Sequence, residues 1–470
     1  MSLENFDYIF QRTHRNYREN FEVWERSFAA CQGGENYIRR ALIRHLSEID
    51  LEFAERLKRA YYFNYPRKIA RLITQYILSV EPNRHNINCE VAEDFSRNGM
   101  RINELMRQFS TTLNIFGMAT ILIEMPYFDG EMDYERKDRE RIRPFARVLS
   151  PLNTVDYAFG TDGCLDWLLV EEIDSLEYGA FLPRIEVRRR KLFTRNEILI
   201  FEKVDGRVVL VNRISHGIGK VPAVIMAEYD FSRGGESHYF EDVVRISDAI
   251  LNNESEAQMN LVKQMFGLLV IPENFAGSSI NSNSNTSEAR QFSHVIARSA
   301  AICESTEEKG ISRYISPSGA DTKAIRDENL MLKKELFDIV GMNAQNESNL
   351  LQSAESKSWD YHSVRQFLAS KVDILEQAEI EAWKIMNLYD ENIRVPEVIY
   401  NRDFSVVQLE NSISALLKLD SLSDSQKYHH EIEKTALFLL EKLKKIPQGT
   451  KDEILAEMHT LNLLEEDERK

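Results

Sequence analysis

The stretch "SNLLQSAESKSWDYH" (348–362) decides the fold. Small polar residues dot its first half, and near Trp359 the pattern gives way to apolar side chains recurring at three and four. From Ala354 to Tyr389 the positions Tyr361, Val364, Leu368, Val372, Leu375, Ala382, Met386 and Tyr389 keep mostly to that spacing, which predicts one helix of about 36 residues. At 1.5 Å per residue it is about 54 Å long. A serine-dotted loop directly before so long a rod poses the functional question.

Working upstream, "DTKAIRDENLMLKKELFDIVG" (321–341) reads as a helix with Asp321 as N-cap and Gly341 as its breaker. A second helix is predicted over "SHYFEDVVRISDAILNNESEAQMNLVKQMF" (237–266), with Ser237 as N-cap and Glu241 and Asp242 complementing the helix dipole. Phe240, Val243, Val244, Ile246, Ile250 and Leu251 give it an apolar face. Six acidic residues oppose two basic ones between Glu236 and Lys263. Between these helices, "GLLVIPENF" reads as a strand and 297–317 as a βαβ-like patch. "AGSSINSNSNTSEAR" (276–290) has little to bury against the ~1–2 kcal/mol cost of ordering each residue, so mobility is expected there.

The first hundred residues read as helical. "GENYIRRALIRHLSEIDLEFAERLKRAYY" (34–62) places Ile38, Leu42, Ile43, Leu46, Ile49, Phe53 and Leu57 at helical spacing, predicting a buried stripe. Pro66 breaks the run, a helix over 67–79 follows, and "EPNRHNINCE" (81–90) reads as a loop. From Gly117 strands take over. "GMATILIEM" (117–125) is a buried run, 131–143 a charged loop, and Asp162-Gly163 a tight turn within 150–173. "EILIFEKVDGRVVLVNR" (197–213) is a hairpin signal, with Asp205-Gly206 at the turn. Downstream of the long helix, "IRVPEVIYNRDFS" is extended, and helices are expected at 406–420, 424–445 and 451–464. The fold class is α+β, mainly helical, with a small antiparallel sheet packed on the N-terminal helices.

Several functions are excluded. "GIGK" (217–220) lacks the first glycine and the Ser or Thr of a phosphate-binding loop. The ten histidines are scattered, only His429-His430 adjoin, and no HExxH or G-x-S-x-G occurs; Asp94, Glu104 and Glu124 stand isolated. No catalytic residues, no metal site and no cofactor are therefore expected, and the chain reads as no enzyme. Cys31, Cys89, Cys164 and Cys303 form no C-x-x-C pair and read as buried free thiols. No apolar run reaches the ~20 residues of a membrane span, and the N-terminus has no secretory pattern, so synthesis in the cytosol and no membrane partner are expected. A net charge of −16 argues against a general nucleic-acid binder, though not against a protein that lets DNA pass ungripped. The basic run "EVRRRKLFTR" (186–195) is the exception. Arg188 and Arg190 could meet DNA or an acidic surface, although on a strand only half such a run shares a face.

The order of parts resembles the portal, or head-to-tail connector, family of tailed bacteriophages. "GESHYFEDVVRISDAILNNESEAQ" (235–258) with "GLLVIPENF", and "NLLQSAESKSWDYHSVRQFLASKVDILEQAEIEAW" (349–383), carry that resemblance; "VDYAFGTDG" and "GKVPAV" look like its wing-sheet segments. The resemblance implies a wing (1–235), a first stem helix (236–263), a clip (264–320) and a second stem helix (321–341). A tunnel loop (342–353), a long wing helix with a return strand (354–405) and a crown (406–470) would follow. By position Gln345, Asn346, Ser348 and Asn349 would touch DNA from the tunnel loop, with Asn343, Ala344 and Glu347 beside them. Asp248, Glu254 and Glu256 would be channel-lining acids. The implied assembly is a ring of twelve subunits at a capsid vertex of the virion, assembled in host cytoplasm, which passes double-stranded DNA inward during packaging and outward at ejection. Its implied partners are a terminase packaging ATPase, a capsid or scaffolding protein and a tail adaptor. The competing expectation is another oligomeric virion component, such as a tail adaptor or minor head protein; a nucleic-acid-processing enzyme comes after that.

Overall fold

In this computed structural model, the residues described are 6–46, 48–126, 142–176, 185–204, 206–229, 238–265, 268–272, 301–304, 313–315, 319–340, 354–402, 404, 435 and 437. A 3-10 turn (Phe6–Phe10) leads into α1 (Arg15–Gln32), whose N-cap is the His14 ring accepting from Asn16 N at 3.1 Å. The expected single helix over 34–62 is two helices, α2 (Gly34–Ala41) and α3 (Asp50–Arg59), and much of its stripe faces water. Leu46 is fully exposed, and Ile43, Ile49 and Leu51 are exposed beside it. No proline or glycine causes the break. Arg56 does: its side chain is 3% exposed and donates to Ile43 O (2.7 Å), to both Glu48 carboxylate oxygens (2.7 and 2.8 Å) and to Glu256 (3.0 Å). A buried guanidinium must be surrounded by acceptors, and here the chain folds around it instead of continuing the helix.

Asn64, in the left-handed region, caps α4 (Tyr65–Ile77) by accepting from Arg67 N, with Pro66 in the first turn. The stretch expected to be a loop holds β1 (Asn83–His85) and a short α5 (Cys89–Glu93) started by Asn88. Helix α6 (Ile102–Phe116) ends at Gly117, φ +70°. A Cβ there would lie 2.6 Å from the Tyr229 ring and 2.7 Å from His238. Gly117→Ala is therefore expected to cost more than about 1 kcal/mol, through φ and crowding together, seen as a lowered urea midpoint.

Next come β2 (Met118–Glu124), β3 (Phe145–Leu149), β4 (Thr154–Phe159), β5 (Leu165–Leu176), β6 (Ile185–Thr194), β7 (Glu197–Val204), β8 (Arg207–Ser215) and β9 (Ala223–Ala227). β4 to β8 form an antiparallel meander, and β3-β2-β9 form a second antiparallel sheet. The β7–β8 hairpin closes where the sequence predicts, with Gly206 at φ +82°; Asp205 lies outside the described residues. Gly217 and Gly219, both at positive φ, make the turn into β9.

Helix α7 (Tyr239–Met265) precedes β10 (Leu268–Pro272), β11 (Ala301–Glu304) and β12 (Arg313–Ile315), which pair in the order β11-β10-β12 with β10 and β11 parallel. Helix α8 (Gly319–Ile339) starts two residues earlier than expected, putting Asp321 inside its first turn. The predicted 36-residue rod is α9 (Ala354–Tyr389). β13 (Glu397–Ile399) then returns to pair antiparallel with β1. The segments 131–141, 273–300, 341–353 and the expected helices after 405 lie outside the described residues, Thr435 and Leu437 apart, as does Ser237.

One core joins α4, α6, α7, α9 and β2 through Ile69, Ile73, Phe109, Phe240, Leu375 and Trp383. Each fully buried side chain of this size contributes about 1.5–3 kcal/mol. A second core lies between β2 and the meander, around Leu122, Leu168, Val170 and Phe193. Trp24 closes it, its indole N–H donating to Phe116 O at 3.1 Å.

Candidate functional site at the helical hairpin

Helices α7 and α8 pack against each other as a hairpin whose tip carries the β11-β10-β12 sheet. Their 27 and 21 residues give lengths of about 40 and 31 Å. The seam between them is polar. Asn329, 1% exposed, donates to Glu254 Oε1 (2.9 Å) and accepts from Asn253 Nδ2 (3.0 Å). Ser255 beside them is buried too. Towards the root the pair buries Phe240, Val243, Val244, Ile250 and Leu336 in the main core, but Leu261, Met265, Leu330 and Met331 are exposed. A helix pair that buries amides and exposes leucine and methionine has apolar surface left over for another partner.

The hairpin is rooted in a buried charge cluster. Lys371, on the apolar face of α9, is 2% exposed and donates to Glu228 Oε1 at 2.5 Å. His238, at the start of α7, meets the other Glu228 oxygen at 3.2 Å, and its Nδ1 is buried without a hydrogen-bond partner. The ammonium also lies 4.8 Å from the Tyr239 and Phe367 ring centres. Burial pushes His238 below its ordinary pKa, more than Glu228 restores it, and Lys371 adds repulsion. Burial likewise lowers Lys371, with Glu228 opposing. For Glu228 burial works upward, but Lys371 and His238 together outweigh it and hold the carboxyl below its usual range. The cluster ties β9's end, α7 and α9 into one joint.

A second cluster fixes the other end of α9. Arg84 from β1 grips Glu379 through two hydrogen bonds (2.5 and 2.9 Å) and donates to Asn103 Oδ1 at 2.7 Å. Tyr400 O–H donates to Glu379 at 2.6 Å. Glu379 is fully buried and Arg84 nearly so. Both clusters escaped the sequence reading, although a signal was present: Lys371 and Glu379 interrupt the apolar stripe of α9.

No family model matches this chain, and no curated protein matches it. Solved structures with some likeness include a chain from "Virion of native gene transfer agent (GTA) particle", at 10% identity and TM-score 0.43, covering 87% of this chain and 98% of that one. Chains from "Neck of empty GTA particle computed with C6 symmetry" and "Neck of native GTA particle computed with C12 symmetry" are each 12% identical. Their TM-scores are 0.42 and 0.41, and each match covers 77% of this chain and 88% of that one.

The residues singled out from sequence are dispersed. Asp248 departs from the channel-facing position expected of it: it is turned inward, bonded to Arg26 (2.6 Å) and to the Tyr37 hydroxyl (2.6 Å). That contact pushes the Tyr37 phenol far upward, after burial. Glu254 lies in the hairpin seam, and Glu256, 40% exposed, pairs with Arg56. Arg190 is buried, pairing with Glu171 (2.7 Å) and donating to Ile9 O and Arg12 O, so it is no surface contact. Arg188 shares its face and also pairs with Glu171, but stays exposed; Arg189 and Lys191, on the opposite face, pair with Glu202 and Glu172. Gln345, Asn346, Ser348 and Asn349 lie outside the described residues. Cys31 is buried, its thiol pushed up to about 12 by burial, whereas Cys89 and Cys164 are exposed, against expectation. Among the described residues no cluster of three His, Cys, Asp or Glu could hold a metal ion, and no helix is long and apolar enough to cross a membrane. A cleft of about 450 Å³ beside Phe145 and Ile200 is lined by Lys191, paired with Glu172, by Glu124, paired with Arg147, and by the exposed Arg97.

Proposed function

We propose that this chain is a portal subunit of a phage-like particle. Copies close into a ring at one capsid vertex, with α7 and α8 as the stem, the β11-β10-β12 region as the clip and α9 as the long wing helix. The observation that carries this reading is the hairpin with a polar seam and apolar flanks, leading after a short connection into a 36-residue helix. A monomer gains nothing from exposing Leu261, Leu330 and Met331, whereas a ring buries them between neighbours. Double-stranded DNA would pass through the bore. Its one charge per ~1.7 Å of axis would be held fast by a wall of lysines or arginines repeated in every subunit. A net charge of −16 per chain avoids that; Glu254, bonded to Asn329 in the seam, and Glu256, paired with Arg56, are engaged within the subunit, so the repulsion would rest on that overall charge. Gln345, Asn346, Ser348 and Asn349 would supply weak, exchangeable contacts from the tunnel loop. The clip would dock a packaging ATPase first and a tail adaptor later.

The test is the purified chain viewed by electron microscopy down its symmetry axis, with mass photometry in parallel. Twelve-fold class averages with a central hole are expected. A monomer or dimer at all concentrations sinks the reading.

A further inference from the structure

The α7–α8 hairpin changes character along its length. Towards its root α7 buries Phe240, Val243, Val244, Ile250 and Leu251, and α8 buries Leu336 and Val340. Beyond Glu254 on α7 and before Asn329 on α8, the buried residues among those described are Ser255, Ala257 and Thr322, all of them small. Small side chains take little apolar area out of water, so the outer half of the hairpin draws little of its stability from packing. On α7 that half runs over 255–265, about 16 Å of helix, and the β11-β10-β12 sheet lies at its end.

The change falls at one layer. Asn329 Nδ2 donates to Glu254 Oε1 at 2.9 Å, while Asn329 Oδ1 accepts from Asn253 Nδ2 at 3.0 Å. The body of the chain takes hold of both helices at the same level. Arg56 donates to Glu256 Oε1 at 3.0 Å, and the Lys333 ammonium lies 5.5 Å from the centre of the Phe63 ring. An apolar layer resists opening because its area returns to water. A layer of amides and a carboxylate opens more readily, because water replaces each hydrogen bond it gives up. Closed, it accepts one alignment, since α8 shifted by a turn would bury Asn329 without either partner. We infer that the layer of Asn253, Glu254 and Asn329 is a latch and a pivot. The outer half of the hairpin opens and recloses there as a unit while the rooted half stays in the core. On reclosing, the two hydrogen bonds set the alignment of the helices and with it the place of the sheet at the tip. The inference concerns one chain and does not rest on the ring reading.

Hydrogen exchange on the whole chain, with oligomeric state matched by mass photometry, reads this directly. In the wild type, amides at 255–262 and 323–328 are expected to exchange about tenfold or more faster than those at 243–250 and 332–339. Asn329→Asp removes the amide donor and sets a second carboxylate against Glu254. It is expected to speed exchange in the outer half by a further factor of about ten. The rooted half should be unchanged, which also shows that the variant folds. Adding Glu254→Gln returns a donor facing an acceptor, and is expected to bring the outer half back towards the wild-type rate. Uniform exchange along both helices of the wild type overturns the inference. So does an Asn329→Asp effect that is absent, that spreads equally to both halves, or that Glu254→Gln leaves uncorrected.

Discussion

Replacing Arg84 with alanine is expected to remove about 3–5 kcal/mol of stability, because it strands the Glu379 carboxylate in the core. Glu379 is fully buried, and without Arg84 it keeps only Tyr400 O–H and a long contact from the Trp383 indole. Burial and the adjoining carboxylate together push the Tyr400 phenol far up, so Tyr400 stays a donor at any ordinary pH. Glu379→Gln in the Arg84→Ala background removes the stranded charge, and the double variant should recover part of the loss. The measurement is urea unfolding of the four chains as a double-mutant cycle. A single Arg84→Ala loss below about 1 kcal/mol would mean that α9 does not depend on this grip. The consequence reaches beyond stability, since Arg84 and Glu379 stand 295 positions apart and lock the returning strand β13 beside β1.

Local pattern explains why some of this was legible in the sequence. The rod α9 follows from its three-and-four spacing, the β7–β8 hairpin from Asp-Gly between alternating strands, and α7 from its unbroken apolar face and acidic first turn. The misreadings share one cause, a long-range polar partner. Nothing near Leu42 ends a helix; Arg56 does so by gathering Ile43 O, Glu48 and Glu256, the last of them 200 positions away. Asp248 sits in an acidic helix and reads as a channel acid, but Arg26 and Tyr37 reach it from α1 and α2. "EPNRHNINCE" has loop composition, yet β1 forms because β13 offers a pairing edge. In the run of arginines at 188–190 the alternation of faces was legible, but the carboxylates waiting on each face were not. Strand pairing divides it between Glu171 on one side and Glu202 on the other.

Lys371→Met is expected to cost a similar ~3–5 kcal/mol at pH 7.5, with a pH dependence that identifies the joint's chemistry. In the wild-type chain His238 is held below its ordinary value of 6.5 by burial. The unfolded chain therefore takes up that proton first as pH falls past about 6.5. Folded-state stability is fully present above that value and is lost on the way down towards the lower folded pKa. The groups facing His238 are Glu228, Lys371 and the rings of Tyr239 and Tyr229. Removing Lys371 takes away the one repelling cation and leaves Glu228 without its main partner, so proton affinity at His238 rises and a protonated imidazole can neutralise the carboxylate. The stability gap between wild type and Lys371→Met should therefore narrow from pH 7.5 to 5.5, and Lys371→Met with His238→Gln should show no such narrowing. Urea unfolding across that range reads the effect directly; a gap constant with pH would mean that His238 does not answer to Glu228. Because the joint sits where α7 leaves the sheets and meets α9, the same titration would loosen the root of the hairpin first, which hydrogen exchange at Phe240–Val244 would register before the meander opens.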